Sequence, residues 1–221
     1  MKNVHVAFEA WEEGSLDNSR RGQKLAEYQE IRCDIIFDIN MDGKCKRNTR
    51  YVAGGQTPCH ASSILYYRVV SRHSIIIAFT LSSLNDVEIR AADICNAYLN
   101  KRCRKKIWTV AGTEFGSEKV KVMLVVRTLY VLKSYSTAWR QLLAQTLRGL
   151  CYISPKTDTD IWLKAETKHD GTEYHAYVLV YVNDLLHLHH NPDTFMDRLA
   201  EVYRLNYGSV GEPGRYLGVS I

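Results

Sequence analysis

At 221 residues the chain is long enough to bury a core without disulfide or metal staples, and its length suits one large domain or two small ones. An apolar fraction of 46% and a charged fraction of 24% are those of an ordinary globular protein, and no stretch approaches the roughly 20 apolar residues a membrane-spanning helix requires. Basic residues exceed acidic ones, 29 to 24, a net charge of +5 that permits a polyanionic partner without demanding one. The opening MKNVHVAFEAWEEGS has no basic start followed by an apolar run, so no secretory signal is expected and the location should be intracellular, cytoplasmic or nuclear. Six cysteines, at 33, 45, 59, 95, 103 and 151, form no CxxC pair, which argues against a zinc finger and a disulfide framework and leaves them as buried thiols.

In chain order, residues 1–22 are polar with weak periodicity and are expected to form a loose leader, with order beginning near Leu25. Two β-prone runs around Ile36 and Tyr51, joined by the turn signal Asp42-Gly43, predict a hairpin carrying Lys44, Lys46, Arg47 and Arg50. Ser71 can cap a helix through SRHSIIIAFTLSSL, whose nearly all-round apolarity predicts burial, and Asn85-Asp86 ends it. A strand through VEIRAADIC (87–95) follows. KRCRKK then places five cations, Lys101, Arg102, Arg104, Lys105 and Lys106, in six positions, either to contact phosphates or as a solvated loop.

From Ser136, Trp139, Leu142, Leu143, Leu147 and Leu150 recur on one helical face. The strand EYHAYVLVYV (173–182), a turn at Asn183-Asp184 and the strand LLHLHH come next. Asn191-Pro192 then opens a helix carrying Phe195, Leu199 and Val202, and RYLGVSI (215–221) closes with a strand. The fold class is α+β, and the order β-α-β-β-α-β is the split βαβ pattern of ferredoxin-like sheets. In that pattern the first and third strands are antiparallel neighbours, so Asp93 should lie beside Asn183 and Asp184.

Two readings of that cluster stay open on the residues alone. Asn183-Asp184 can simply turn the chain, with Asp93 pairing locally. Alternatively, carboxylates converging on a strand end can hold Mg²⁺, which prefers oxygen ligands and is often completed by substrate phosphates. In HLHH (187–190), His187 and His189 share a strand face while His190 points away, so an independent metal site is not expected there.

The segments TRYVAGG (49–55), AADICNAYLN (91–100), LYVLKSYSTAWR (129–140), YVND (181–184) and RYLGVSI (215–221) resemble, in order and spacing, the reverse transcriptase domain of copia-type retrotransposon polyproteins. The resemblance covers roughly residues 23–221 and implies a right-hand polymerase with a ferredoxin-like βαββαβ palm sheet. It implies fingers at 23–84 and 109–135 and palm at 85–108 and 136–221, with the thumb and ribonuclease H lying beyond the chain. It further implies Asp93, Asn183 and Asp184 as the catalytic trio. Mg²⁺, or Mn²⁺ in its place, would be held by Asp93, the Ile94 carbonyl and Asp184. Tyr98 would be the gate against a ribose 2′-hydroxyl, and Arg50 the clasp on the incoming triphosphate. The implied partners are an RNA or DNA template with primer and deoxynucleoside triphosphates, with no membrane.

Three departures qualify these implications. The family's YVDD reads YVND, its LYGLKQSP reads LYVLKSYS, and the usually acidic segment after NAYLN reads KRCRKK. Asn183 removes a charge from a site that must neutralise phosphates, and Val131 stands where glycine permits close approach. The resemblance thus implies a degenerate RNA-directed DNA polymerase, weakly active or inactive. A non-catalytic nucleic-acid-binding remnant is the rival, and a poorly folding pseudogene product the blander one.

Overall fold

The computed structural model describes residues 7–10, 28–40, 46–54, 69–103, 105–127, 134–216 and 219–220. In chain order the first elements are β1 (Phe8–Ala10), β2 (Gln29–Glu30), β3 (Cys33–Asn40), β4 (Lys46–Ala53), α1 (Arg72–Asn85) and β5 (Glu88–Asp93). There follow β6 (Ile107–Val110), β7 (Val122–Val125), α2 (Ser134–Gly149), β8 (Ile161–Thr167), β9 (Glu173–Tyr181) and β10 (Asp184–His189). The chain closes with α3 (Asp193–Val202), β11 (Arg215–Tyr216) and β12 (Val219–Ser220). The architecture is mixed α+β, divided into two compact units: Met1–Leu65 with Tyr98–Trp139, and Tyr66–Ala97 with Arg140–Ile221.

The first unit holds a sheet of order β1-β7-β6-β2 and a separate β3-β4 ribbon. The ribbon pairs Ile36 with Arg50 in antiparallel register, as the hairpin reading predicts, while its Asp42-Gly43 turn lies outside the described residues. Ala7, Phe8, Ile31, Ile107, Phe115, Met123 and Val125 form its core. Phe8–Ala10 falls in the stretch expected as a loose leader. Instead it pairs with β7 and sends the Phe8 ring edge-on to Phe115 at 5.3 Å. A three-residue strand is too short for periodicity to reveal it.

The second unit is built on a sheet of order β5-β10-β9-β8. β9 and β10 are central and covered on both sides, which is why they read as continuous apolar runs rather than alternating ones. On one face α1 packs Ile75 and Ala78 against Leu179, Leu186 and Leu188. On the other face Phe195 of α3 stacks on His187 at 4.1 Å. There Tyr203, just after α3, hydrogen-bonds Thr146 of α2 at 2.7 Å. Burying side chains of this size contributes roughly 1.5–3 kcal/mol each.

α1 begins and ends where predicted: Ser71 Oγ accepts from the Ser74 amide at 3.0 Å, and Asp86 closes it at φ 49°. It is not buried all round, however; Ile76, Ile77 and Leu84 are 55%, 58% and 76% exposed, because a helix lying on one sheet buries one face only. β8 is a strand the sequence reading lacked, an edge strand whose mixed residues hide the period of two. Of the expected closing strand RYLGVSI, the described residues do not join this sheet but pair with each other as β11 and β12. Residues 205–211 flank β5 instead, through bridges Ile94–Leu205 and Ala91–Gly211. Among the described cysteines none is in a disulfide, and none is as buried as expected: Cys33, Cys95 and Cys103 are half-buried, and Cys151 is exposed at φ 68° as the chain leaves α2. Among the described residues no helix is long and apolar enough to cross a membrane.

Candidate active site

The site lies at one end of β5 and β10. β9 and β10 are joined by a two-residue connection, since Tyr181 pairs with Asp184 and only Val182 and Asn183 lie between. The turn is thus one residue earlier than the sequence suggests, and Asp184 is the first residue of β10 rather than part of the tip. Val182 carries the positive φ, 60°, and Asn183 does not, the pattern of a turn that matches strand twist but normally takes glycine at its first position. A β-branched residue there is strained by about 1–2 kcal/mol, and the paired strands on either side hold it in place.

The tight connection fixes the register, and the register makes the site. β10 pairs antiparallel with β5 so that Asp184 lies opposite Asp93 and Leu185 opposite Ala92. Residues directly opposite in an antiparallel pair project their side chains to the same face, about 5 Å apart at Cβ. The Ile94 amide donates to the Asn183 carbonyl at 2.9 Å, pinning the tip to the end of β5. The half-buried Asp184 carboxyl is pushed up to about 6, chiefly by burial and next by the Asp93 charge.

Asp93 is held from two sides. Asn183 Nδ2 donates to its Oδ1, and Asn206 Nδ2 donates to its Oδ2 at 2.5 Å. Its backbone carbonyl accepts from the Asn206 amide at 2.9 Å, and its amide donates to Ser209 Oγ at 3.1 Å. Between the bridges at Leu205 and Gly211 the flanking segment therefore bulges around Asp93. A turn at Gly208, φ 71°, and a bond from the Ser209 amide to the Asn206 carbonyl at 3.1 Å shape the bulge. Asn206 and Ser209 were missed in the sequence, because RLNYGSVGEPG has no periodicity; Gly208 as a turn residue was the one usable signal.

The donor set fits one divalent cation. Two carboxylates repel across the strand pair. Among the described residues no group of three or more His, Cys, Asp or Glu is placed to hold a metal. Asn183, beside the two carboxylates, adds no third charge and instead donates its side-chain amide to Asp93.

The other site expectations fall in the first unit. Arg50 lies in β4 opposite Ile36, and Tyr98 is the second residue of a short 3₁₀ stretch, Ala97–Asn100. The side chains of both are outside the described residues, as are Arg104 and Val131. Of the basic run, Arg102, Lys105 and Lys106 are exposed and Lys101 is half-buried; Lys106 Nζ sits 5.7 Å over the Tyr28 ring.

At the far end of β10 the histidines have a structural use. His187 is fully buried, bonded through Nε2 to the Tyr152 hydroxyl at 2.7 Å. Burial first, and His189 next, push its imidazole down to about 3, so it is neutral. His189 stacks on His187 at 5.3 Å and His190 on His189 at 4.9 Å, because the chain bends after His189 and turns the His190 ring back rather than away. These rings line a cavity of about 470 Å³ with Lys164, Glu166 and Arg198.

The carboxylate pair, Asp93 on β5 and Asp184 at the start of β10, thus lies at one end of a sheet with helices on both faces. Residues 33–221 match the family described as reverse transcriptase (RNA-dependent DNA polymerase), and the chain belongs to that family. No curated protein matches the sequence.

Proposed function

We propose that this chain is the fingers and palm of a copia-type reverse transcriptase, with the second unit as palm, and that it is a degenerate copy of low activity. The family membership and the cross-strand register of Asp93 with Asp184 support the reading, and the register is the observation that carries it. Asp93, Asp184 and the Ile94 carbonyl would hold Mg²⁺ or Mn²⁺. When bound, such an ion polarises phosphoryl oxygens and offsets the charge that develops in phosphoryl transfer. The chain's own contribution is positioning. The short hairpin fixes Asp184, the bulge fixes Asp93, and Tyr98 and Arg50 are proposed to contact the sugar and triphosphate of the incoming deoxynucleotide. Lys101, Arg102, Arg104, Lys105 and Lys106 are proposed to contact template or primer phosphates, and the protein to work inside the cell.

Asn183 is the reason for low activity in this proposal. Its amide donates to Asp93 Oδ1, the oxygen a cation would need, and it supplies no charge of its own. Loss of one such charge costs on the order of 100-fold in rate, by comparison with removal of a single stabilising group in other enzymes. The test is primer extension by the chain and by Asn183→Asp on an RNA template, in Mg²⁺ and in Mn²⁺. A gain of about 100-fold is expected. Absence of extension by both proteins in both metals would rule against the polymerase reading.

The same hydrogen bond favours a second reading, a nucleic-acid-binding remnant, since Asp93 is satisfied without any metal. Binding to a primer-template that persists in Asp93→Ala and falls steeply with salt, without extension, would select it.

A further inference from the structure

Asn206 touches Asp93 more intimately than its place in an aperiodic loop would suggest. Its side-chain amide donates to Asp93 Oδ2 at 2.5 Å, and its main-chain amide donates to the Asp93 carbonyl at 2.9 Å. Ser209 holds the Asn206 end of the loop, its hydroxyl donating to the Asn206 carbonyl at 2.8 Å and accepting from the Asp93 amide at 3.1 Å. The bulge is thus a clamp with two kinds of contact. Ser209 and the Asn206 main chain grip the backbone of Asp93, and the Asn206 side chain alone grips the carboxylate from this loop.

We infer that Asn206 is a positioning residue for Asp93, occupying Oδ2 so that the carboxylate presents Oδ1 toward Asp184 as a ligand for a divalent cation. The inference rests on the polymerase reading above. A carboxylate that pivots about its Cβ–Cγ bond is a poor ligand, and a donor fixed on one oxygen removes that freedom; such supporting bonds are worth about 10- to 100-fold in metal affinity. Asn183 at present donates to the other oxygen, so the clamp and the amide at the hairpin tip have opposite effects: Asn206 orients the carboxylate, while Asn183 competes for it.

The experiment measures Mn²⁺ binding to the full chain, with MnCl₂ alone, by calorimetry and by the loss of free Mn²⁺ electron paramagnetic resonance signal. The proteins are the parent, Asn206→Ala and Ser209→Ala, each also in an Asn183→Asp background. The Asn206→Ala change should weaken Mn²⁺ at least about tenfold in any background that binds it. Ser209→Ala, which disturbs the same loop without touching the carboxylate, should leave affinity within about twofold even if it lowers the melting temperature. Equal Mn²⁺ affinity for Asn206→Ala and its parent would overturn the inference and leave the polymerase reading intact. So would an equal loss in Ser209→Ala, which would mark a merely structural loop. If neither the parent nor Asn183→Asp binds Mn²⁺, the polymerase reading fails and the positioning role fails with it.

Discussion

Replacing Asn183 by Asp should have opposite effects on stability with and without metal. In the metal-free protein the substitution removes a hydrogen bond to a charged acceptor, worth about 1.5–3 kcal/mol, and adds a third carboxylate beside Asp93 and Asp184. The added repulsion at an effective dielectric near 20 and about 5 Å is roughly 3 kcal/mol before solvent screening, which at this half-exposed site reduces it to about 1. A net loss of about 2–4 kcal/mol follows, or roughly 4–16 °C in melting temperature for a chain of this size. Mn²⁺ at 100 times its dissociation constant returns about 2.7 kcal/mol to a protein that binds it only when folded. Scanning fluorimetry in EDTA and in MnCl₂ should therefore show Asn183→Asp melting below wild type in the first buffer and gaining more from the second. The deficit in EDTA should shrink at pH 5, where Asp184, its carboxyl pushed up to about 6, is protonated. Equal melting in EDTA, or an equal Mn²⁺ shift in both proteins, would refute the account of Asn183 as an internal substitute for charge.

Other variants test the frame that holds the site. His187 has its imidazole held down to about 3, below the 6.5 of an unfolded histidine, so the folded state binds fewer protons. Its contribution is full above pH 6.5 and is lost as pH falls toward 3, at up to about 1.4 kcal/mol per unit. His187→Gln, which keeps a partner for Tyr152, should be less stable at pH 7.5 but show a flatter acid limb in urea titrations; parallel limbs would contradict this. Arg140 pairs with the buried Asp160 at 2.6 Å, and Arg140→Ala should cost about 3 kcal/mol in denaturant unfolding. Lys164→Ala, from the more exposed pair with Glu166, should cost less than about 1 kcal/mol. Val182→Gly relieves a positive φ while adding chain entropy to the unfolded state, so it should lie within about 1 kcal/mol of wild type. Val178→Gly, within β9 and fully buried, should cost about 3 kcal/mol.

What the sequence revealed and what it withheld divide along physical lines. Periodic or capped segments were legible: α1 with its Ser71 cap, α2 with Leu143 and Leu147 on one face, and the β9–β10 hairpin all follow from local rules. The adjacency of Asp93 and Asp184 was legible too, because strand order in a split βαβ pattern leaves little choice of neighbour. Features set by nonlocal contacts were not. β1 exists because Phe8 fills a core assembled from strands about a hundred residues away, and β8 because an edge position tolerates a polar face. The bulge at 205–211 is the sharpest case, since nothing in RLNYGSVGEPG marks Asn206 as the partner of a carboxylate more than a hundred positions earlier.

That division bears on how the hairpin tip should be understood. The resemblance to copia-type elements casts Asn183 as an amide in place of the first carboxylate of YVDD. The structure gives the amide a positive task, because its donation to Asp93 satisfies a half-buried charge that two facing carboxylates would otherwise leave repelling. An amide in place of a carboxylate need not destabilise the fold when it can donate to the carboxylate beside it. Asparagine is isosteric with aspartate and carries N–H groups on the same scaffold, so a single change can trade catalytic charge for metal-independent order. On this argument the metal-free stability of the fold and the low activity proposed for it have one cause, the direction of the Asn183 hydrogen bond.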